Sequence, residues 1–173
     1  MSEYPYLAAL LPMLYFDSAD FPSRETFLGE AEKWLPEDEY AALSTVAFDD
    51  VTDHEHPLEL VEEYRRFERA VRRDIATFIE SRRQGHDHKT TAFPHAIIKD
   101  NDPLAAEKQL LRLRWDFVSS RLNTHFWDLH ALVVYHLQIQ ILERLSAFDL
   151  KEGEKRFKTL TSGVGKDEET GQN

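Results

Sequence analysis

Cysteine is absent from the 173 residues, which excludes both disulfides and thiolate chemistry. That usage fits a reducing compartment. Glycine and proline are scarce, at 6 and 7, which argues against a β-rich or low-complexity chain. No apolar run reaches the roughly 20 residues needed to span a bilayer. Basic residues are outnumbered, 21 against 32, for a net charge of -11. Such a balance repels nucleic acid phosphates and anionic lipid, so neither a nucleic acid partner nor direct membrane insertion is expected. Met1, Ser2 and Glu3 do not open a basic and apolar leader, so no secretory signal is expected and the chain reads as cytoplasmic. There is no Gly-rich phosphate loop, no G-x-S-x-G and no H-E-x-x-H. No catalytic residue, cofactor or resident metal is therefore expected, and the chain reads as non-enzymatic.

What is present favours helix. Leu, Glu, Ala and Arg dominate, and a 42% hydrophobic fraction with 12% aromatics can build a real core. The longest apolar pattern lies at 124–148. Phe126, Leu129, Val133, Leu137, Ile141, Leu145 and Phe148 recur in steps of three or four, and Leu132, Tyr135, Ile139 and Leu142 form a second row. Only Asp128, Gln138, Gln140, Glu143, Arg144 and three histidines interrupt it. A helix so apolar around its girth is usually wrapped by neighbours. The expected fold is all-α, an antiparallel bundle of five to six helices around a central helix at 124–148. Residues 1–161 should form one domain and 162–173 a disordered tail.

The other elements follow from local signals. Tyr4 to Leu14 is apolar, with Leu7, Leu10, Leu11 and Leu14 at helical spacing, but Pro5 and Pro12 leave helix, strand and turn all open. Ser23 caps a helix over 24–34, with Phe27, Leu28, Ala31, Trp34 and Leu35 on its inner face. Pro36 ends it and starts another, with Glu37, Asp38 and Glu39 near its positive end. A long amphipathic helix spans 58–84. Leu60, Val61, Tyr64, Phe67, Val71, Ile75, Phe78 and Ile79 face inward, and the outer face includes Glu62, Arg65, Glu68, Arg72 and Asp74. Pairs such as Glu62 with Arg66 and Glu68 with Arg72 add ~0.2–0.5 kcal/mol each. Asp102 and Pro103 open a helix to Leu122, Thr124 can cap the next, and the two should pair as a hairpin. A short helix is expected at 151–161.

Histidine is the first place to look for metal. His86 and His88 flank Asp87, and His95 follows, but no further ligands fall at a recognisable spacing. His54 and His56 read the same way. His125, His130 and His136 lack the Glu-x-x-His spacing of a di-metal bundle and are expected to be buried and hydrogen-bonded, or marginal. A metal-binding enzyme built on His86, His88 and His95 is one alternative reading, and a free-standing helical adaptor is another. Arg112, Arg114 and Arg121 share a helix with Trp115. Trp115 reads as core, while the arginines are left between a solvated face and a contact surface. Arginine and tryptophan are also what interfaces are rich in. The partner contacts expected are exposed residues near helix ends: Arg114, Trp127 and Arg144.

Two stretches carry a family resemblance. Tyr4, Tyr6 and Leu7, then Leu11, Pro12, Met13 and Leu14, then Phe16 and Asp17, resemble the opening of an uncharacterised bacterial family encoded beside V-type (A/V-type) ATPase subunits. Asn101 to Leu104 with Glu107, Arg114 with Trp115, Phe126 to Leu129, Tyr135 to Arg144, and Gly153, Phe157 and Leu160 resemble its C-terminal half. The layout is also similar to the all-helical C (eukaryotic d) subunit, which caps the membrane rotor ring and receives the central stalk. The resemblance implies a non-catalytic role: coupling or assembling a rotary ion-translocating ATPase, with V-type ATPase subunits as partners and attachment to the membrane only through them.

Overall fold

The computed structural model describes residues 4–99, 102–122, 125 and 127–164; side chains of Lys99 and of residues 149–164 lie outside the description. The fold is all-α. Among the described residues there are seven helices and no strand: α1 (Pro5–Leu10), α2 (Arg24–Ala31), α3 (Glu37–Ser44), α4 (Glu59–Arg83), α5 (Ala96–Lys99), α6 (Pro103–Ser119) and α7 (Leu129–Val164).

The first half of α7 is the axis, and α2, α3, α4 and α6 pack on it. Leu132, Val133, Leu137, Ile139, Ile141 and Leu142 are all buried. Adjacent helices run antiparallel. Glu63 and Glu68 of α4 meet Arg121, just past α6, and Arg114 within it, in reversed order. Ser119 and Glu107 of α6 meet Gln138 and Arg144 of α7 in the same reversed way. The α6–α7 hairpin expected from the short connection is therefore present. A smaller core of Val71, Phe93, Ile97 and Leu110 seats α5 against α4 and α6.

Several expected boundaries move. The central helix starts at Leu129, not Thr124, which lies outside the described residues. Asp128 opens it, its carboxylate accepting from the backbone N–H of Ala131 at 3.0 Å. The helix does not stop near 148. It runs on to Val164, so the separate helix expected at 151–161 is part of α7. Gly153, in mid-helix, costs only about 1 kcal/mol among strong helix formers and does not break it. Residues 162–164 are helical rather than disordered, and 165–173 lie outside the description. Pro36 is the N-cap of α3 rather than its first residue. Ser23 and Asp102 cap α2 and α6 as expected, accepting from Thr26 and from Leu104 and Ala105.

The expected solvated face of α4 is not wholly solvated. Arg65, Glu68 and Asp74 are buried, while Ile79, expected inside, is exposed. The reason is that two long connections fold over α4. Arg65 donates to the Asp50 carboxylate and to the His54 carbonyl, Arg69 to the Thr52 carbonyl and Arg72 to the Asp49 carbonyl. Asp74 accepts from the backbone N–H groups of Thr91 and Ala92 and bonds His88. Glu68 pairs with Arg72 at 2.8 Å as expected, but Glu62 pairs with Arg65 rather than Arg66.

The polar residues of the central helix are also pins. His136 donates from Nδ1 to the Leu43 carbonyl. Gln140 accepts from the Phe48 N–H and donates to the Val46 carbonyl, and Gln138 donates to the Ser119 hydroxyl. Each buried amide thus fixes one neighbouring segment at a set height on α7.

Candidate interaction surface

Helix α1 is only six residues long, with Pro5 at its first turn. Leu7 turns into the core and is fully buried. Tyr6 and Leu10, four residues apart along one flank of the helix, face water at 73% and 63% exposure. The extended segment after it alternates. Leu14 and Phe16 lean inward, the latter edge-on to Trp115, while Met13 and Tyr15 project outward. The Tyr15 hydroxyl donates to the Met13 sulfur.

Two tryptophans extend this surface. Trp34 follows α2 in a turn and stacks on Tyr6, ring centroids 5.9 Å apart. It was expected on the inner face of α2, but that helix ends at Ala31 and the turn swings Trp34 out to 44% exposure. Trp127 precedes α7 and its carbonyl accepts from the Tyr4 N–H, which anchors the start of α1 beside it. Tyr6, Leu10, Met13, Tyr15, Trp34 and Trp127 thus gather around one N-terminal segment. Apart from Ile79 they are all the large exposed apolar side chains among the described residues. Surface apolar groups scattered singly need no explanation, but a concentration of this kind marks a contact surface.

A cavity of about 270 Å³ opens beside these residues, between the 11–14 segment, the end of α6 and the first turns of α7. Leu11, Leu14, Leu122 and Leu132 supply its apolar wall. The Tyr135 hydroxyl, in the same wall, donates to the Pro12 carbonyl, and burial pushes its pKa up to about 12. The His125 ring bonds the Asp128 carboxylate and stacks on His130. Burial raises the Asp128 carboxyl, but hydrogen bonds from His125 and the Ala131 N–H outweigh it and leave it below the ordinary range.

The three residues expected to contact a partner are not brought together. Trp127 is exposed on the N-terminal face. Arg114, expected at the surface, is instead buried, donating through Nε and Nη2 to the two oxygens of Glu68 at 2.8 and 2.9 Å. It sits on the side of α6 that faces α4, so it is not among the solvated arginines. For Glu68, burial pulls the pKa up, but bonds from Arg114 and then Arg72 more than reverse it. Arg144 lies about 22 Å along α7 from Leu129. Its guanidinium is 3.6 Å from Glu107 and covers the Phe148 ring, so it is half committed to the fold.

The histidines are dispersed. His86 is exposed, His88 bonds Asp74 and His95 meets Phe78 edge-on. Among the described residues no group of three or more His, Asp or Glu side chains is placed to hold a metal ion. Tyr6, Leu10, Met13, Tyr15 and Trp34 were not singled out as contacts by the sequence reading. The available signal was the short apolar run between Pro5 and Pro12: a helix that brief cannot bury both its faces.

Fold and surface together define an all-α bundle with an exposed aromatic and aliphatic face at its N-terminal end. A family described as "Protein of unknown function (DUF2764)" matches residues 95–167, which take in α5, α6 and α7. No curated protein and no solved structure matches the chain.

Proposed function

We propose that this protein is a non-enzymatic docking subunit, an accessory or central-stalk-like component of a V-type ATPase. The observation that carries the reading is the cluster of Tyr6, Leu10, Met13, Tyr15, Trp34 and Trp127, held outward on an otherwise well-packed bundle. Interfaces are enriched in Tyr, Trp and Met, and the cluster has that composition. Among the described residues these side chains make one ring stack, Tyr6 on Trp34, and one hydrogen bond, Tyr15 to Met13. The ATPase as partner is supported by the resemblance of Tyr4 to Asp17 and of the 101–160 stretch to proteins encoded beside ATPase subunits. Among the described residues no helix is long and apolar enough to cross a membrane, so the protein would reach the membrane through its partner.

The test is affinity purification of the tagged protein from its native host, followed by mass spectrometry. V-type ATPase subunits should be recovered with the wild-type chain and lost with a Tyr6→Ser, Met13→Ser, Trp127→Ser variant that melts at the same temperature. Recovery of an unrelated partner instead would make this a free-standing adaptor.

A further inference from the structure

We infer that Met13 is an oxidation site, at which a peroxide adds one oxygen to the sulfur and so makes the docking face polar. The consequence rests on the docking reading, and the chemistry on the protein alone. Cysteine is absent, and methionine occurs only at positions 1 and 13. Met13 is therefore the one sulfur among the described residues. It is also the most exposed member of the cluster, at 76%, so a small oxidant reaches it without any opening of the fold. The backbone on either side is fixed. The Pro12 carbonyl accepts from the Tyr135 hydroxyl, and Leu14 packs against the core.

A thioether sulfur carries two lone pairs and is the nucleophile in its own oxidation. One lone pair attacks an oxygen of hydrogen peroxide. The S–O bond forms as the O–O bond breaks, and the departing hydroxide takes the proton of the transferred oxygen and leaves as water. Sulfur loses two electrons and the peroxide gains them. The sulfoxide is chiral, so the two lone pairs lead to different epimers. Here they are not equivalent. The Tyr15 hydroxyl donates to the Met13 sulfur at 3.0 Å and occupies one of them. The peroxide meets the other, and one epimer forms in excess. A flexible apolar side chain thereby becomes a polar one where Met13 lines the cavity beside Leu11 and Leu14. Covering that point with an apolar partner surface then strips the new oxygen of water without giving it a donor, which is costly. The oxidised chain docks more weakly, and reduction of the sulfoxide restores it.

The test treats the full-length protein with hydrogen peroxide and follows the Met13 peptide by mass spectrometry. Folded and urea-unfolded chains should gain the oxygen at rates within about twofold of each other. The epimers are counted with the two methionine sulfoxide reductases, each of which reduces only one. Wild type should show about a threefold excess of one epimer, the size expected of a single exposed hydrogen bond. Tyr15→Phe should bring the two to equality. Oxidised wild type, used as bait for V-type ATPase, should recover about tenfold less of it than untreated bait. Met13→Leu bait should recover as much after peroxide as before.

Protection of Met13 by more than about tenfold in the folded chain would overturn the site. Equal epimers in wild type, or the same excess in Tyr15→Phe, would overturn the part played by Tyr15. Undiminished recovery by oxidised wild type, or an equal loss in Met13→Leu, would overturn the effect on docking. If untreated bait recovers no ATPase, the docking reading fails and the effect on docking with it, while the rates and epimer counts still decide the oxidation site.

Discussion

Glu68 and Arg114 show how a residue's role departs from its pattern. In sequence, Glu68 sits among alternating charges on the outer side of a helix, and Arg114 sits between leucine and tryptophan. Nothing local says that they meet 46 positions apart and out of water. Burying a charge is costly unless its partner is well placed, and here the fork-shaped contact is complete. Removing one partner strands the other. Glu68→Ala should cost about 3–5 kcal/mol in urea denaturation, while replacing both residues by apolar ones of similar volume should cost far less. Equal losses in the single and paired variants would contradict this.

His136 gives the clearest dependence on pH. It is fully buried against Phe27, with Nδ1 bound to the Leu43 carbonyl. Burial, with a smaller contribution from Arg24, lowers its pKa from 6.5 to about 4. Above 6.5 the ring is neutral in both folded and unfolded chains. Between 6.5 and about 4 the unfolded chain binds a proton that the folded chain does not. Stability therefore falls as pH drops through that window, by up to roughly 3 kcal/mol. The carboxylates held low, Asp50, Glu68, Asp74 and Asp128, are lost at still lower pH. Denaturation of His136→Gln between pH 7 and 4 should give a flatter slope than wild type, and an unchanged slope would rule out His136 as the source.

At the scale of elements, much was legible. Two-row apolar spacing places α7 at the centre, and Ser23, Asp102 and Pro103 mark starts that the backbone obeys. Leu137 and Ile141 are fully buried there, and truncating either to alanine should cost ~2–5 kcal/mol in the same denaturation assay. What spacing could not give is which polar residues a connection would cover. Arg65 and Asp74 look like solvated positions on α4 until the 48–58 and 86–95 connections fold across them. Those connections have few apolar residues of their own, so α4's charges hold them. Asp74→Ala should release the second one, read as faster amide exchange at Thr91 and Ala92 and faster tryptic cleavage after Lys89. Unchanged exchange would mean that Phe93 and Ile97 suffice. The gap at 149–150 expected between two helices was a misjudged boundary, since glycine and polar residues weaken a helix without ending it.

For the whole molecule, the bundle explains why the N-terminal segment is where contact should occur. Helices α2, α3, α4 and α6 spend their apolar faces on α7, and α5 on α4 and α6. Helix α1 has one inward residue and a surplus of aromatic and aliphatic ones. Trp127, expected only as an exposed residue near a helix end, lies beside this segment. Arg114, expected with it on the surface, is buried; that expectation rests on arginine in a helix being more often wet than buried. Amide exchange of the protein with and without purified V-type ATPase tests the central claim most directly. Slowed exchange concentrated at residues 4–15 and at the start of α7 is the predicted result. Protection confined to the charged surface of α4, or none at saturating ATPase, would contradict it.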